Sequence, residues 1–178
     1  MSIIKLIHKA LSDTDIRKIL GQDTKIIKYA ELSQFTDLDQ LLQKPEDYCI
    51  ILYEDSVDHG HWVGLSKYDG KYEHFDSYGL KPDKELAWVN FKVRRAVGET
   101  EPFLSELLKH ETYVYNDVKY QALEADVNTC GSHVVHRLYR LKHQNMDLDQ
   151  YHNFMLGLKD DFNMTYDMIV AEFIHKFF

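Results

Sequence analysis

The sequence has few cysteines, prolines and glycines and contains no long apolar run. Its 178 residues include 2 Cys, 3 Pro and 8 Gly. The two cysteines, Cys49 and Cys130, lie far apart without a CxxC pair or a disulfide spacing pattern, which indicates a reducing compartment. No run is long enough to span a membrane, and residues 2–11 lack the apolar core of a signal peptide. We therefore expect a soluble intracellular protein that folds as one domain over residues 1–178.

Basic residues are also in deficit. The chain has 21 Lys and Arg against 29 Asp and Glu, a formal net charge of −8 with neutral histidines. This balance argues against non-specific nucleic-acid binding as the main task. Local basic strips remain at two places: Lys92, Arg94 and Arg95, and Arg137, Arg140 and Lys142.

The pattern of apolar residues predicts an α+β domain. Ser12 and Asp15 form a capping-box arrangement at the start of a helix over Asp13–Leu20. The run 48–53 predicts a strand buried on both faces that contains Cys49, and Asp69-Gly70 predicts a hairpin turn between two further strands. The expected order is helix 13–20, strand 25–29, a short helix after Thr36, strands 48–53, 61–68 and 71–77, helix 83–97, strand 112–115, and helices 133–143, 148–158 and 164–178. The central sheet is expected to be mainly antiparallel, with the C-terminal helices (147–178) as an extension of the same domain.

A short polar stretch, residues 128–133, precedes the apolar-periodic run of the first C-terminal helix. Cys130 in this stretch would lie at or near a helix N-terminus, where backbone N–H groups and the helix dipole favour a thiolate. The alternative is a small, buried and unreactive cysteine, which is the commoner situation for a free Cys.

The predicted hairpin places His61 near the start of one strand and Asp76 near the end of the next. Such positions lie opposite or diagonal to each other, so the two side chains can meet. A carboxylate that accepts a proton from one imidazole nitrogen fixes the tautomer and raises the basicity of the other nitrogen. An ordinary surface contact is the alternative interpretation of this pair.

Together, His61-Trp62, the stretch Glu73-His74-Phe75-Asp76-Ser77-Tyr78-Gly79 and Thr129-Cys130-Gly131 resemble the clan of cysteine proteases that includes adenain and the proteases that process SUMO. The similarity covers most of residues 11–141. The resemblance implies a variant of the papain-like fold in which a central helix carries the nucleophile. It also implies that Cys130 is the nucleophile, His61 the general base and then acid, and Asp76 the orienting carboxylate.

The same resemblance implies an oxyanion donor, for which Gln121 is the candidate. The interval between Gln121 and Cys130 is longer than is usual in the clan, so the loop 122–127 would contain extra residues. Asn128 is the fallback donor, although it could instead shape the turn. Trp62 either flanks the catalytic histidine or is a core aromatic residue.

The function implied by the resemblance is that of a cysteine endopeptidase which cleaves after small or Gly residues, without a cofactor. A virion-maturation protease of viral or virophage type, acting on capsid or other precursor proteins in the host cytoplasm or in the virion, fits the chain length. Processing of a ubiquitin-like protein is the alternative. Enzymes of the adenain type are stimulated by DNA and a peptide, but the acidic charge of this chain argues against such activators. We expect a monomer.

Two other classes of function compete with the protease hypothesis. Histidines 59, 61 and 74, with Cys130 or His133, could bind zinc, but the histidines show no overall pattern. A catalytically inactive relative could bind a protein partner through the same groove. Residues His133 and His136 are interpreted as lying on the helix surface.

Overall fold

The protein contains a five-stranded sheet, and a computed structural model describes residues 2–178. Its strands are Lys25–Lys28 (β1), Tyr48–Ser56 (β2), His59–Tyr68 (β3), Lys71–Phe75 (β4) and Tyr113–Tyr115 (β5), in the order β1-β2-β3-β4-β5. The three central strands are antiparallel, as predicted. Each edge strand pairs in parallel with its neighbour, so the sheet is mixed around an antiparallel centre. The α+β class is confirmed.

The turn between β3 and β4 forms where the sequence predicted it. Asp69 and Gly70 both have positive φ, 49° and 70°. Two consecutive residues in the left-handed region match the right-handed twist of the flanking strands, which accounts for the tight connection. β4 itself ends at Phe75, so Asp76 and Ser77 follow the strand instead of closing it.

The helices surround this sheet or form a second group. They are Ile3–Ile7 (α1), Asp13–Leu20 (α2), Leu38–Leu41 (α3), Phe91–Val97 (α4), Phe103–Leu108 (α5), Cys130–Gln144 (α6), Leu148–Phe162 (α7) and Tyr166–His175 (α8). Ser12 and Asp15 form the predicted capping box of α2. The sequence did not predict α1 and α5.

The predicted helix over residues 83–97 is wrong. A short 3₁₀ helix, Lys84–Trp88, is followed by an extended Val89, and α4 then begins with an Asn90 cap. The helix is interrupted at Val89 and Asn90, whose ψ angles of 131° and 137° lie outside the helical region. Asp83, just before the 3₁₀ helix, has a φ of +67° and accepts hydrogen bonds from the hydroxyls of Tyr29 and Tyr53 at 2.7 and 3.0 Å.

The chain divides into two compact units. The first unit contains residues 2–24, Ser77–Gly79 and Val118–Phe178, and therefore α1, α2 and α6–α8. The second unit contains Lys25–Asp76 and Leu80–Asp117, and therefore the sheet with α3–α5. Cys49 lies in the apolar core of the second unit, as predicted, and burial raises the pKa of its thiol to about 12. Among residues 2–178 no helix is both long and apolar enough to cross a bilayer.

The expectation that His133 and His136 lie on the surface is also wrong, because α6 is packed between α2 and α8. Both histidines are fully buried, and so is Arg137, which the sequence placed in a basic strip. His136 Nδ1 contacts the Tyr151 hydroxyl at 2.8 Å, and the Arg137 guanidinium donates to the Met146 carbonyl. Arg137 is therefore not part of a basic surface strip, whereas Arg140 is half-buried and Lys142 is exposed.

Candidate active site

His61 and Asp76 form a close pair in the second unit. His61 Nε2 lies 2.6 Å from Asp76 Oδ1, across the hairpin formed by β3 and β4. The His61 side chain is 15% exposed, whereas that of Asp76 is completely buried. Because a carboxylate can only accept, the Nε2 proton is donated to Asp76 and the lone pair of the neutral ring lies on Nδ1. The predicted cross-strand contact is thus present, and it is not a surface contact.

The Asp76 carboxylate is fixed by further hydrogen bonds. Its Oδ2 accepts from the Leu80 N–H at 3.2 Å, and its main-chain carbonyl accepts from Asn116 Nδ2 at 2.6 Å. Burial alone would raise the pKa of Asp76, but its hydrogen bond and electrostatic interaction with His61 outweigh it and hold the pKa below its ordinary value. Asp76 is therefore an ionised acceptor whose own side chain is buried.

A third ionisable side chain, Glu85, lies beside this pair, and sequence reasoning missed it. It comes from the 3₁₀ helix Lys84–Trp88 and is 2% exposed. Ligand-type atoms of His61, Asp76 and Glu85 lie within 4.8 Å of one another. Burial, followed by the charge of Asp76, raises the pKa of Glu85 to about 9. We call these three residues the His61 cluster.

Cys130 is the first residue of α6 in the other unit. The first intrahelical bond runs from the His133 N–H to the Thr129 carbonyl, so the N–H groups of Gly131 and Ser132 have no acceptor within the helix. The 15-residue helix presents the positive end of its dipole here, which favours a thiolate at Cys130. Cys130 is 7% exposed.

Gln121 lies in the same unit as Cys130 and is buried rather than on the surface. Its Oε1 accepts from the Ser77 hydroxyl at 2.7 Å, and its Nε2 donates to the Val127 carbonyl at 3.0 Å. The second bond closes the loop 122–127, whose extra length the sequence indicated. The amide is thereby oriented by the segment that leads to Cys130.

Asn128, the fallback donor, is tied to the N-terminal helix. Its Nδ2 donates to the His8 carbonyl at 3.0 Å, and its main-chain N–H donates to the Ile7 carbonyl at 2.9 Å. These contacts give Asn128 a role in shaping the turn before α6. Trp62 is 8% exposed, and because successive residues of a strand point to opposite faces, its ring does not share the face of His61.

Asp167 of α8 braces the segment around Cys130. It accepts hydrogen bonds from the Thr129 hydroxyl and from the Ala122 N–H, and its Oδ1 lies 3.0 Å from His133 Nε2. The residue before Cys130 and the residue after Gln121 are therefore fixed by one carboxylate. Nothing in the sequence indicated this link, because Asp167 lies in a helix expected to be an extension.

The zinc site suggested by His59, His61 and His74 is not assembled. Within residues 2–178, the ligand-type side chains that approach one another closely enough to hold an ion are those of the His61 cluster. His59 contacts Asp55 on the surface. His74 is fully buried, neither of its ring nitrogens has a hydrogen-bond partner among the described residues, and burial lowers its pKa to about 4.

The chain is similar to a protein of a virophage. No protein-family model matches the chain. The chain is similar to "Uncharacterized protein V9" of Sputnik virophage, with 33% identity over 166 residues, which cover 91% of this chain and 92% of the relative.

Proposed function

Because this chain belongs to the family of the Sputnik virophage protein V9, it is a viral protein, and we propose that it is a cysteine endopeptidase. Its nucleophile is Cys130, its base is His61, its orienting carboxylate is Asp76 and its oxyanion donor is Gln121. The observation that carries the proposal is the 2.6 Å contact between His61 and the buried Asp76. The position of Cys130 at the start of α6 supports it independently.

The chemistry follows from these groups. His61 Nδ1 takes the proton of the Cys130 thiol, and the thiolate sulfur attacks the substrate carbonyl. The tetrahedral oxyanion is stabilised by the Gln121 amide and by N–H groups at the start of α6. The C–N bond then breaks, and His61 gives its proton to the leaving amine. Water hydrolyses the thioester, which releases the acid and restores the thiol.

The substrate in this proposal is a capsid or other structural precursor, cleaved after small or Gly residues in the host cytoplasm or the virion. The test is incubation of the protein with capsid-type precursors that carry Gly-X or Gly-Gly sites, in parallel with a SUMO precursor. Cleavage of the capsid-type precursor and a loss of at least about 10³-fold in rate in Cys130→Ala are expected. Cleavage of the SUMO precursor alone would replace the substrate class, and no cleavage of either would refute the proposal.

Alkylation provides a test that does not need the substrate. The rate of reaction of Cys130 with iodoacetamide against pH should show an apparent pKa below the free-thiol value of about 8.5. Cys49 is the internal control, because it is 0% exposed, compared with 7% for Cys130, and its thiol should not react in the folded protein. The His61→Ala variant should slow Cys130 alkylation near neutral pH. An unreactive Cys130, or a rate that His61→Ala does not change, would contradict the proposed pairing of the two residues.

A further inference from the structure

Glu85 contains a buried carboxyl group that lacks a hydrogen-bond donor. Both of its carboxyl oxygens are inaccessible, and neither accepts a hydrogen bond from a donor of another residue among residues 2–178. An ionised carboxylate in such a place costs several kcal/mol unless a cation or several donors face it. The group must therefore either be protonated or hold a cation.

The backbone around Glu85 holds the side chain in this place. Asp83, two residues earlier, accepts from the hydroxyls of Tyr29 and Tyr53 and from the Ser105 N–H at 2.7 Å. These bonds anchor the start of the 3₁₀ helix that carries Glu85. Burial of the carboxyl group is thus enforced by the fold.

Three ionisable groups act on Glu85: the carboxylate of Asp76, the ring of His61 and the hydroxyl of Tyr53. Among these groups, the Asp76 carboxylate is the one whose side-chain hydrogen bond to Glu85 raises the pKa of Glu85. Its oxygens already accept from His61 Nε2 and from the Leu80 N–H, but each carboxylate oxygen has two lone pairs and can accept a second bond. A protonated Glu85 has one O–H to donate, and the two carboxyl groups are close neighbours.

We propose that Glu85 is a neutral carboxylic acid that donates its O–H to Asp76 and thereby holds Asp76 as the oriented carboxylate that positions His61. Glu85 is then a positioning residue, and this role in catalysis rests on the proposed function. The protonation of Glu85 does not rest on it.

The geometry favours a proton over a metal ion in the His61 cluster. Two ligands of one zinc ion at about 2.0–2.1 Å from the metal lie about 3.3 Å apart in a tetrahedral site. His61 Nε2 and Asp76 Oδ1 are 2.6 Å apart, which is a hydrogen-bond distance. A cation would have to break this bond and displace its proton.

Infrared spectroscopy tests the protonation directly. The difference spectrum between the wild type and Glu85→Gln at pH 7 should contain the carbonyl band of one protonated carboxylic acid, which disappears as the pH rises through about 9. Glu73→Gln, at another buried glutamate of the same unit, is the matched control and should leave that band in place. A Glu85→Gln spectrum that retains the band, or a wild type without it, would overturn the proposal.

The positioning role is tested by rescue. The amide introduced by Glu85→Gln can still donate to Asp76, so this variant should keep the ¹⁵N shifts of the His61 ring and at least about a third of kcat. In Glu85→Leu the donor is lost, and kcat should fall about 10-fold or more with little change in KM. Equal kcat values for the two variants, or unchanged His61 shifts in Glu85→Leu, would overturn the positioning role.

Two further outcomes separate the proposals. Stoichiometric binding of Zn²⁺ by the wild type, measured by calorimetry and abolished in Glu85→Gln, would overturn the neutral acid in favour of a metal site. A wild type that shows the carboxylic acid band but cleaves no precursor would refute the proposed function and leave the protonation of Glu85 supported.

Discussion

Asp76 carries a negative charge in a position without solvent contact, and its neighbours explain how. His61 supplies a charge-assisted hydrogen bond, Leu80 supplies a main-chain donor, and Glu85 supplies a third donor under the proposal above. Replacement by asparagine retains the shape but removes the charge that stabilises an imidazolium. In Asp76→Asn we expect kcat/KM for the cleaved precursor to fall about 10²- to 10⁴-fold. Steady-state kinetics on the purified variant measure this loss.

A surface carboxylate in the same unit provides the control for this change. Asp39 is 62% exposed and contacts Lys67, so Asp39→Asn should leave kcat/KM within about 2-fold of the wild type. Circular dichroism should show that both variants are folded. Full activity of a folded Asp76→Asn protein would remove Asp76 from the catalytic machinery.

The sequence predicts part of this site because the signal for His61 and Asp76 is local. A turn at Asp69-Gly70 sets the register, and the register brings the two residues together. Glu85 was not predictable, since its burial depends on the anchoring of Asp83 by two tyrosines from distant parts of the chain. Neither the composition nor the spacing around Glu85 contains that information.

At the scale of elements, β3 approaches β2 very closely just before His61. A Cβ atom added at Gly60 would lie 1.8 Å from the Tyr53 carbonyl oxygen, so the backbone must shift to accept any side chain. We expect Gly60→Ala to lower the free energy of unfolding by about 2 kcal/mol or more. Urea denaturation at pH 7 measures the change.

Gly157 is the matched control for the Gly60 variant. It lies inside α7, and a Cβ atom there would meet no atom within 4 Å. Gly157→Ala should stabilise the protein by about 0.5–1 kcal/mol, because alanine loses less conformational entropy in a helix. A Gly60→Ala protein as stable as the wild type would show that the two strands can separate at no cost.

The hydrogen bonds between Asp167 of α8 and the residues around the start of α6 lead to a second prediction at this scale. Asp167→Asn places an amide where Thr129, His133 and Ala122 present hydrogen-bond donors, so at least one donor loses its acceptor. We expect a loss of about 1–3 kcal/mol in stability. Asp161→Asn, at an exposed position of α7, should have almost no effect. Thermal unfolding measures the melting temperatures of the two variants. Equal melting temperatures would contradict a stabilising role for the hydrogen bonds of Asp167.

Elements set by local contacts were predicted well, and those set by distant contacts were not. The helix Asp13–Leu20 was predicted to the residue because its capping box lies within its first turn. The segment 83–97 was not, because its apolar spacing is compatible with one helix, whereas the ψ angles of Val89 and Asn90 lie outside the helical region. The burial of His133 also depends on a distant partner, Asp167.

For the whole molecule, buried carboxyl groups determine how stability depends on pH. Burial raises the pKa of Glu85 to about 9 and that of Glu99 to about 7. Their stabilising contribution is complete below about pH 4.3, the unfolded value, and is lost as the pH rises through the folded values. Asp76 and Asp167 have lowered pKa values, so their contribution is present above about pH 3.9 and is lost on acidification. These four groups together favour maximal stability at about pH 4–5.

Glu99 allows this dependence to be tested away from the candidate active site. Its Oε1 accepts from the Glu54 N–H at 2.6 Å, and its Oε2 is buried without a partner among the described residues. The charged groups that act on the Glu99 carboxyl are those of Glu54, Asp55 and Arg94. Glu99→Gln retains the acceptor and removes the titration. The variant should therefore match the wild type within about 0.5 kcal/mol at pH 4.5 and exceed its stability by about 1–2 kcal/mol at pH 8. Urea denaturation between pH 4 and 9 measures both curves, and parallel curves would show that the pKa of Glu99 is not raised in the folded protein.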